Sequence, residues 1–427
     1  MTERFLPLPN GRAEEQLNDA KPLYTESQAR AESNRCLYCF DAPCIQACPT
    51  AIDIPRFIKK IASDDLRGAA KTILDANILG HSCSMVCPVE VLCVGRCVYN
   101  DMKVPPIQIG RLQRYATEWL FSNNIRLYAA GEPNGKRVAI IGGGPAGLSC
   151  AAELARQGFH AVIYEARSLP GGLNVTGVAP YKMHATDALR EVNYILDLGI
   201  ELHTGTVVGR DIDIDWLQAN YDAIFVGIGL GADGRLDIPG ETQEGVVGAV
   251  DLIEKIKLDP TFNLNGVSQA LVVGGGNTAI DVTRELLELG VANVSLVYRR
   301  DENSMSAYAH EWNAAKKCGA TAFFGRRPVE IVGDGRASGI RCVKVSPASR
   351  DKRSSLVEIP GSEHVIAADL IVVAVGQAKL ADTFGGVDGL VFEDGRFVVD
   401  AETGRCGQTK WFAGGDCANG GRCARSC

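Results

Sequence analysis

The sequence predicts an α/β protein: two doubly wound dinucleotide-binding domains, one inserted in the other, preceded by an α-helical, cysteine-rich domain. Three observations predict it. A strand, a glycine turn and a helix occur in immediate succession at residues 138–157, and the same design recurs at residues 270–281. Apolar strands that end in glycine return later in the chain, at residues 222–229 and 369–376, as closing strands of parallel sheets. Eight of the 15 cysteines fall between Cys36 and Cys97.

The 427 residues suffice for several domains, and 46% hydrophobic with 22% charged residues is ordinary for a globular protein. A net charge of −7 argues against a nucleic-acid or membrane-surface role. No apolar run is long enough to span a bilayer, and MTERFLPLPNGR lacks the apolar core of a signal peptide. The expected location is cytoplasmic. In a reducing compartment so many cysteines point to metal or redox chemistry rather than disulfides.

Residues 13–34 are polar with scattered apolar positions, and helices are expected there. Two compact runs follow: Cys36-x2-Cys39-x4-Cys44-x3-Cys48-Pro49, and Cys83-x3-Cys87-Pro88-x4-Cys93-x3-Cys97. Such four-cysteine runs with an adjoining proline are similar to iron–sulfur ferredoxin runs, in which one cysteine often serves the other cluster. Soft thiolates suit iron. Two structural zinc sites are the rival, but zinc motifs pair CxxC-type knuckles and these spacings fit that poorly. Between the runs, residues 54–76 are helical in pattern, with Ile54, Phe57, Ile58, Ile61, Leu66, Ala69, Ile73 and Leu74 near one face.

The first glycine turn begins at Gly142. Gly142 permits the turn, Gly144 lets a pyrophosphate approach the backbone, and Gly147 lets helix and strand pack closely. Pro145 and Ala146 open the helix, whose free N–H groups favour an anion. Glu165, 23 residues after Gly142, stands where a ribose hydroxyl is read. Gly171-Gly172-Leu173 forms a loop fit for close approach to a ring or phosphate. Glu132-Pro133-Asn134-Gly135 reads as the linker before this domain.

The second turn is Gly274-Gly275-Gly276, followed by Asn277 and Thr278. The same offset of 23 leads to Val297 rather than an acid, and Arg299 and Arg300 follow it closely. Arginines there pair with a 2′-phosphate, so NADPH is favoured over NADH and the first unit becomes the FAD site. A short hairpin is expected around Asp394-Gly395, and Trp411 to Asp416 reads as a strand leading into a turn at Gly415. Domain boundaries are set at 1–133, 134–250, 251–378 and 379–427. Cys150, Cys318, Cys342 and Cys406 form no CxxC and read as isolated packing thiols. Electrons then leave through clusters rather than a dithiol: flavin converts a hydride into single electrons.

The segment from Cys36 to Glu118, including Pro106-Ile107-Gln108-Ile109-Gly110-Arg111-Leu112-Gln113, resembles the N-terminal domain shared by dihydropyrimidine dehydrogenases and the small subunit of glutamate synthase. The resemblance extends over nearly the whole chain. It implies one 4Fe–4S cluster on Cys36, Cys39, Cys44 and Cys97, and a second on Cys48, Cys87, Cys93 and Gln113. Cys83 would be left out as a buried thiol, whereas spacing alone would make it the eighth ligand. The resemblance places Lys182 near the flavin phosphates and Asp416 at the ribityl chain. It also implies a long helix after Asp416, yet Cys417 to Cys427 show no helical pattern and no convincing metal spacing. The implied activity is hydride transfer from NAD(P)H to FAD, then single electrons through the clusters to a partner subunit that carries FMN and the substrate site. The partner would reduce uracil or thymine. A glutamate synthase partner is the alternative, and a non-catalytic iron–sulfur scaffold or sensor is a reading of another class.

Overall fold

A computed structural model describes residues 4–348, 355–407 and 410–421. The first part is helical, with α1 (Glu26–Asn34), α2 (Pro43–Gln46), α3 (Ile54–Ala62), α4 (Leu66–Ala76), α5 (Gly80–Val86) and α6 (Ile109–Ser122). Helix α1 starts at a capping box in which Thr25 and Gln28 satisfy each other's backbone N–H. Ahead of it, only a short 3-10 turn forms at Ala13–Gln16.

The helical pattern at 54–76 divides into two helices rather than one. Asp64 takes a left-handed conformation (φ 64°), and the Asp65 carboxylate accepts from Gly68 N at 2.8 Å. A capping carboxylate offers the backbone a better partner than continuing the helix through three polar residues. Phe57, Ile58, Ile61, Ile73 and Leu112 form the core of this part and back the cysteines.

The chain then runs β1 (Arg137–Ile141), α7 (Pro145–Arg156), β2 (His160–Tyr164), α8 (Leu173–Thr176), α9 (Ala185–Leu196), β3 (Glu201–His203), α10 (Ile214–Asn220) and β4 (Ala223–Val226). It leaves this sheet for β5 (Val246–Gly248), α11 (Ala249–Leu258), β6 (Gln269–Val273), α12 (Asn277–Glu288), β7 (Asn293–Tyr298), α13 (Ala309–Lys317) and β8 (Thr321–Phe324). A small antiparallel sheet comes next, in which β10 (Ala337–Pro347) pairs with each of β9 (Arg326–Gly333), β11 (Leu356–Glu358) and β12 (His364–Ala367), and then β13 (Leu370–Val373). The expected hairpin is β14 (Phe392–Glu393) with β15 (Arg396–Phe397). The chain ends its described course in β16 (Trp411–Ala413) and α14 (Asp416–Asn419).

Two parallel five-stranded sheets result, in the orders β16-β4-β1-β2-β3 and β5-β13-β6-β7-β8. One unit is therefore inserted in the other, because β16 returns to β4 after the second sheet is complete. The second sheet already includes β5, so the inserted unit begins ahead of residue 251. Its strand Val246–Gly248, three half-buried residues, had no periodicity to reveal it.

Leu74, Leu120 and Phe121 of the helical part join Ile140, Ile163 and Tyr194 of the first unit in one core. Tyr181 and Ala179 of the first unit enter the core of the second. These shared cores fix the three parts against each other. Lys257 of α11 is buried at the same junction, and its ammonium donates to the carbonyls of Asn174, Val178 and Met183 at 2.9–3.0 Å. Burial pulls that ammonium down to about 8, and the three carbonyls offset the cost of burying it. The inserted unit thereby holds the loop that follows Gly172.

Candidate functional site: two cysteine sets and two nucleotide clefts

The cysteines fold into two sets. Cys36, Cys39, Cys44 and Cys97 line one hollow, walled by Ile54, Ile58, Tyr99 and Ile107. The two runs thus interleave, as the fourth member comes from the second run. Burial, with Cys36 and Cys97 beside it, pushes the Cys44 thiol up to about 12. In the other set, burial and the nearby Cys48 and Cys83 push Cys93 up to about 12. Thiols crowded in an apolar wall stay protonated until a cation compensates them, which is the condition of a metal-ligand set.

Cys83 lies in this second set. Hydrogen bonds with Cys87 and Gln113 draw its thiol down to about 7, against burial. Gln113 is buried, and its amide donates to Gly80 O at 2.7 Å. The structure therefore brings Cys48, Cys83, Cys87, Cys93 and Gln113 together. Lys21 donates to Cys87 O at 3.2 Å and closes the set from outside.

Thiolates around a single zinc ion stand about 3.8 Å apart, as Zn–S bonds of about 2.3 Å require. Among the described residues, the only trio of such ligand atoms within 4.8 Å of one another is His81, Glu118 and Asp187. No three of the described cysteine sulfurs come that close to one another. The trio itself is held by Arg190, which pairs with Glu118 and Asp187, and burial beside that guanidinium draws His81 down to about 3. Cys423 and Cys427 lie outside the described residues.

In the first nucleotide unit the glycines stand as their roles require. Gly142 has φ 102°, and a Cβ there would meet Gly227 O at 2.6 Å. A Cβ on Gly147 would lie 2.0 Å from Gly142 O, whereas one on Gly144 would meet nothing closer than Gly172 Cα at 3.8 Å. Gly144 is the N-cap of α7, with Pro145 and Ala146 in its first turn. Gly172 caps α8, which begins at Leu173. Gly415 approaches Ala146, and Asp416 opens α14 with its carboxyl raised by burial. Glu165 is 7% exposed, and its carboxylate accepts from Gly143 N at 2.7 Å and Arg167 N at 2.8 Å. Lys182 pairs with Asp281 at 2.7 Å and Glu311 at 2.9 Å, both in the inserted unit.

The second unit opens on a cavity of about 940 Å3 that takes in Gly274, Gly276, Thr278, Tyr298 and Arg299. Asn277 faces the next loop, and its side chain accepts from Tyr308 N at 2.9 Å. Arg299 lines the cavity and makes no ion pair with a described residue. Arg300 is not in its wall; its carbonyl accepts from Gly325 N at 3.2 Å.

Strand register corrects the expected ribose position. Gly142 N bonds Tyr164 O, and Gly274 N bonds Val297 O, so the residue matching Glu165 is Tyr298 and not Val297. The connection from α12 to β7 (289–292) is one residue longer than that from α7 to β2 (157–159), which a fixed residue count could not see. Sequence reading also passed over Lys257 and Arg327, since isolated cations carry no periodic signal.

Residues 13–125 match the family model described as dihydropyrimidine dehydrogenase domain II, 4Fe-4S cluster. Residues 136–426 match the model described as pyridine nucleotide-disulphide oxidoreductase. The glutamate synthase [NADPH] small chain of Escherichia coli is 32% identical over 421 residues, 93% of this chain and 88% of that protein. The NAD-dependent dihydropyrimidine dehydrogenase subunit PreT of the same species is 31% identical over 404 residues, 95% of this chain and 92% of that protein. Among solved structures, Mycobacterium tuberculosis FprA in complex with NADPH aligns with a TM-score of 0.57 at 20% identity, covering 69% of this chain and 81% of that chain. That likeness concerns the fold.

Proposed function

The chain belongs to the pyridine nucleotide-disulphide oxidoreductase family, and we propose on that footing that it takes electrons from NAD(P)H and delivers them one at a time to a partner subunit. FAD would lie on Gly142, Gly144, Gly147, Glu165, Gly172 and Asp416, and NAD(P)H, with NADPH favoured, on Gly274, Gly276, Thr278 and Arg299. Two 4Fe–4S clusters would occupy the two cysteine sets, the second with Gln113. When bound, flavin supplies the conversion of a hydride into single electrons, and clusters supply a one-electron relay.

One observation carries the reading. A cavity of about 310 Å3 lies where the three parts meet, walled by Cys87 and Val89 on one side and Tyr181, Lys182 and Glu311 on the other. The cysteine set thus stands next to the nucleotide units rather than at the far end of the molecule. The chain's own work is positioning. Lys257 and the Lys182–Asp281 pair hold the units together, and the backbone N–H groups that open α7 and α12 would face the phosphates of a bound dinucleotide.

The partner favoured here carries FMN and reduces uracil or thymine, in keeping with the subunit at 31% identity. A glutamate synthase partner is the second reading, favoured by the relative at 32% identity. A non-catalytic iron–sulfur scaffold is the third. No helix of the described residues is long and apolar enough to cross a membrane, and a nucleic-acid partner is not expected.

Anaerobic reconstitution tests the proposal. The expected result is about eight irons per chain, one FAD, and dye reduction by NADPH; iron without FAD would leave only the scaffold. Gln113→Leu is expected to remove one cluster's signal in electron paramagnetic resonance while Cys83→Ala keeps both. The reverse would make Cys83 the ligand. Co-purification followed by assays of uracil reduction and glutamate formation separates the two partners.

A further inference from the structure

Arg327 stands in the wall of the 940 Å3 cavity, together with Tyr298 and Arg299. It comes from β9, outside the glycine-turn unit, and β9 packs on β7. Its guanidinium is half-exposed (50%), and its ion-pair partner, Glu358 of β11, is 45% exposed. A pair so exposed contributes little to stability and exchanges readily for a better anion.

The cavity wall carries three guanidiniums, Arg235, Arg299 and Arg327, against two carboxylates, and Arg235 is already paired with Asp237 and Glu241. The position that holds Glu165 in the first unit holds Tyr298 here, so no carboxylate reads the ribose. The acids in the cavity wall are Asp233 and Asp237. Asp233 is already engaged, since it accepts from Val250 N and Asp251 N at 3.0 Å. Arg299, on the same wall, makes no ion pair with a described residue. Two guanidiniums from separate elements beside an aromatic ring can grip a dianionic phosphate from two sides, while a ribose hydroxyl there gains no acceptor.

We propose that Arg327 is a specificity-determining residue that, with Arg299, binds the 2′-phosphate of NADPH and leaves Glu358 to do so. The proposal rests on reading this cleft as the nicotinamide dinucleotide site, and goes beyond it in naming a second arm from β9.

The test uses the full reconstituted chain. Calorimetric titration with 2′,5′-ADP and with 5′-ADP separates a 2′-phosphate from the rest of the nucleotide, and dye reduction gives KM for NADPH and NADH. In Arg327→Ala, 2′,5′-ADP binding and the KM for NADPH are expected to worsen roughly ten- to hundred-fold. Binding of 5′-ADP and the KM for NADH stay within about twofold. Glu358→Gln, which frees the guanidinium, is expected to keep NADPH affinity or improve it.

Equal changes for NADPH and NADH in Arg327→Ala, or none, would overturn the proposal. So would a loss in Glu358→Gln as large as in Arg327→Ala, since the pair would then be a strut. If the unaltered chain binds neither nucleotide, the dinucleotide reading of the cleft fails instead.

Discussion

Glu165 and Tyr298 hold the same place in two related sheets. Each follows the residue whose carbonyl accepts from the first glycine of its turn, and each covers the second glycine. The Glu165 carboxylate takes the Gly143 N–H at 2.7 Å, while the Tyr298 ring lies so close to Gly275 that a Cβ there would meet it at 2.4 Å. One place thus carries a negative acceptor and the other an apolar plate followed by a cation.

Exchange at this place is expected to move cofactor binding without moving the fold. Glu165→Gln keeps an acceptor for Gly143 but loses its charge, so FAD affinity falls roughly tenfold. Flavin per chain after gel filtration reports it. Tyr298→Glu sets a carboxylate beside Arg299 and the expected 2′-phosphate. The ratio of kcat/KM for NADPH over NADH is expected to fall at least about tenfold.

The glycines of the first turn divide into those the fold needs and those a ligand needs. Gly147→Ala drives a Cβ onto Gly142 O at 2.0 Å, and a backbone oxygen cannot swing aside. A loss of about 3 kcal/mol is expected in denaturant unfolding of the flavin-free chain. Gly144→Ala has space and an extended backbone (φ −78°), so stability changes by less than about 0.5 kcal/mol. Flavin content is nevertheless expected to collapse, because the added methyl stands where the pyrophosphate approaches. Equal stability in both variants would refute this division.

Glu191 gives the protein a pH dependence of known sign. This fully buried carboxylate on α9 accepts from His81 N at 2.9 Å and from Ser82 N at 3.2 Å, capping the helix that carries Cys83. Burial raises it to about 7, and the hydrogen bonds oppose the rise only in part. An unfolded glutamate titrates near 4.3. Between those values the folded chain binds more protons than the unfolded one, so this group's contribution to stability falls as pH rises through the window. Glu191→Gln lacks the term. Unfolding midpoints at pH 5.5 and 7.5 are therefore expected to favour the variant more at the higher pH, and the opposite trend would show the carboxylate to be ionised throughout.

Local chemistry made much of this protein legible in its sequence. Glycine turns between an apolar strand and a helix have few alternatives, because Gly142 and Gly147 face backbone atoms that tolerate no Cβ. Cysteine spacing over short runs likewise marks two cysteine-rich segments of the helical part. Spacing within the runs did not show that Cys97 joins Cys36; the resemblance implied it, and the folded chain brings Cys36, Cys39, Cys44 and Cys97 to one hollow. Tertiary structure alone decided that Tyr298 answers to Glu165, because the connection between α12 and β7 holds one residue more than that between α7 and β2. It also decided where the lone cations stand. Lys257 finds its carbonyls 74 to 83 residues away, and Arg327 shares a cavity wall with Arg299. Periodicity reports what a residue does for its own helix or strand; a single charge reaching into another domain leaves no trace in it.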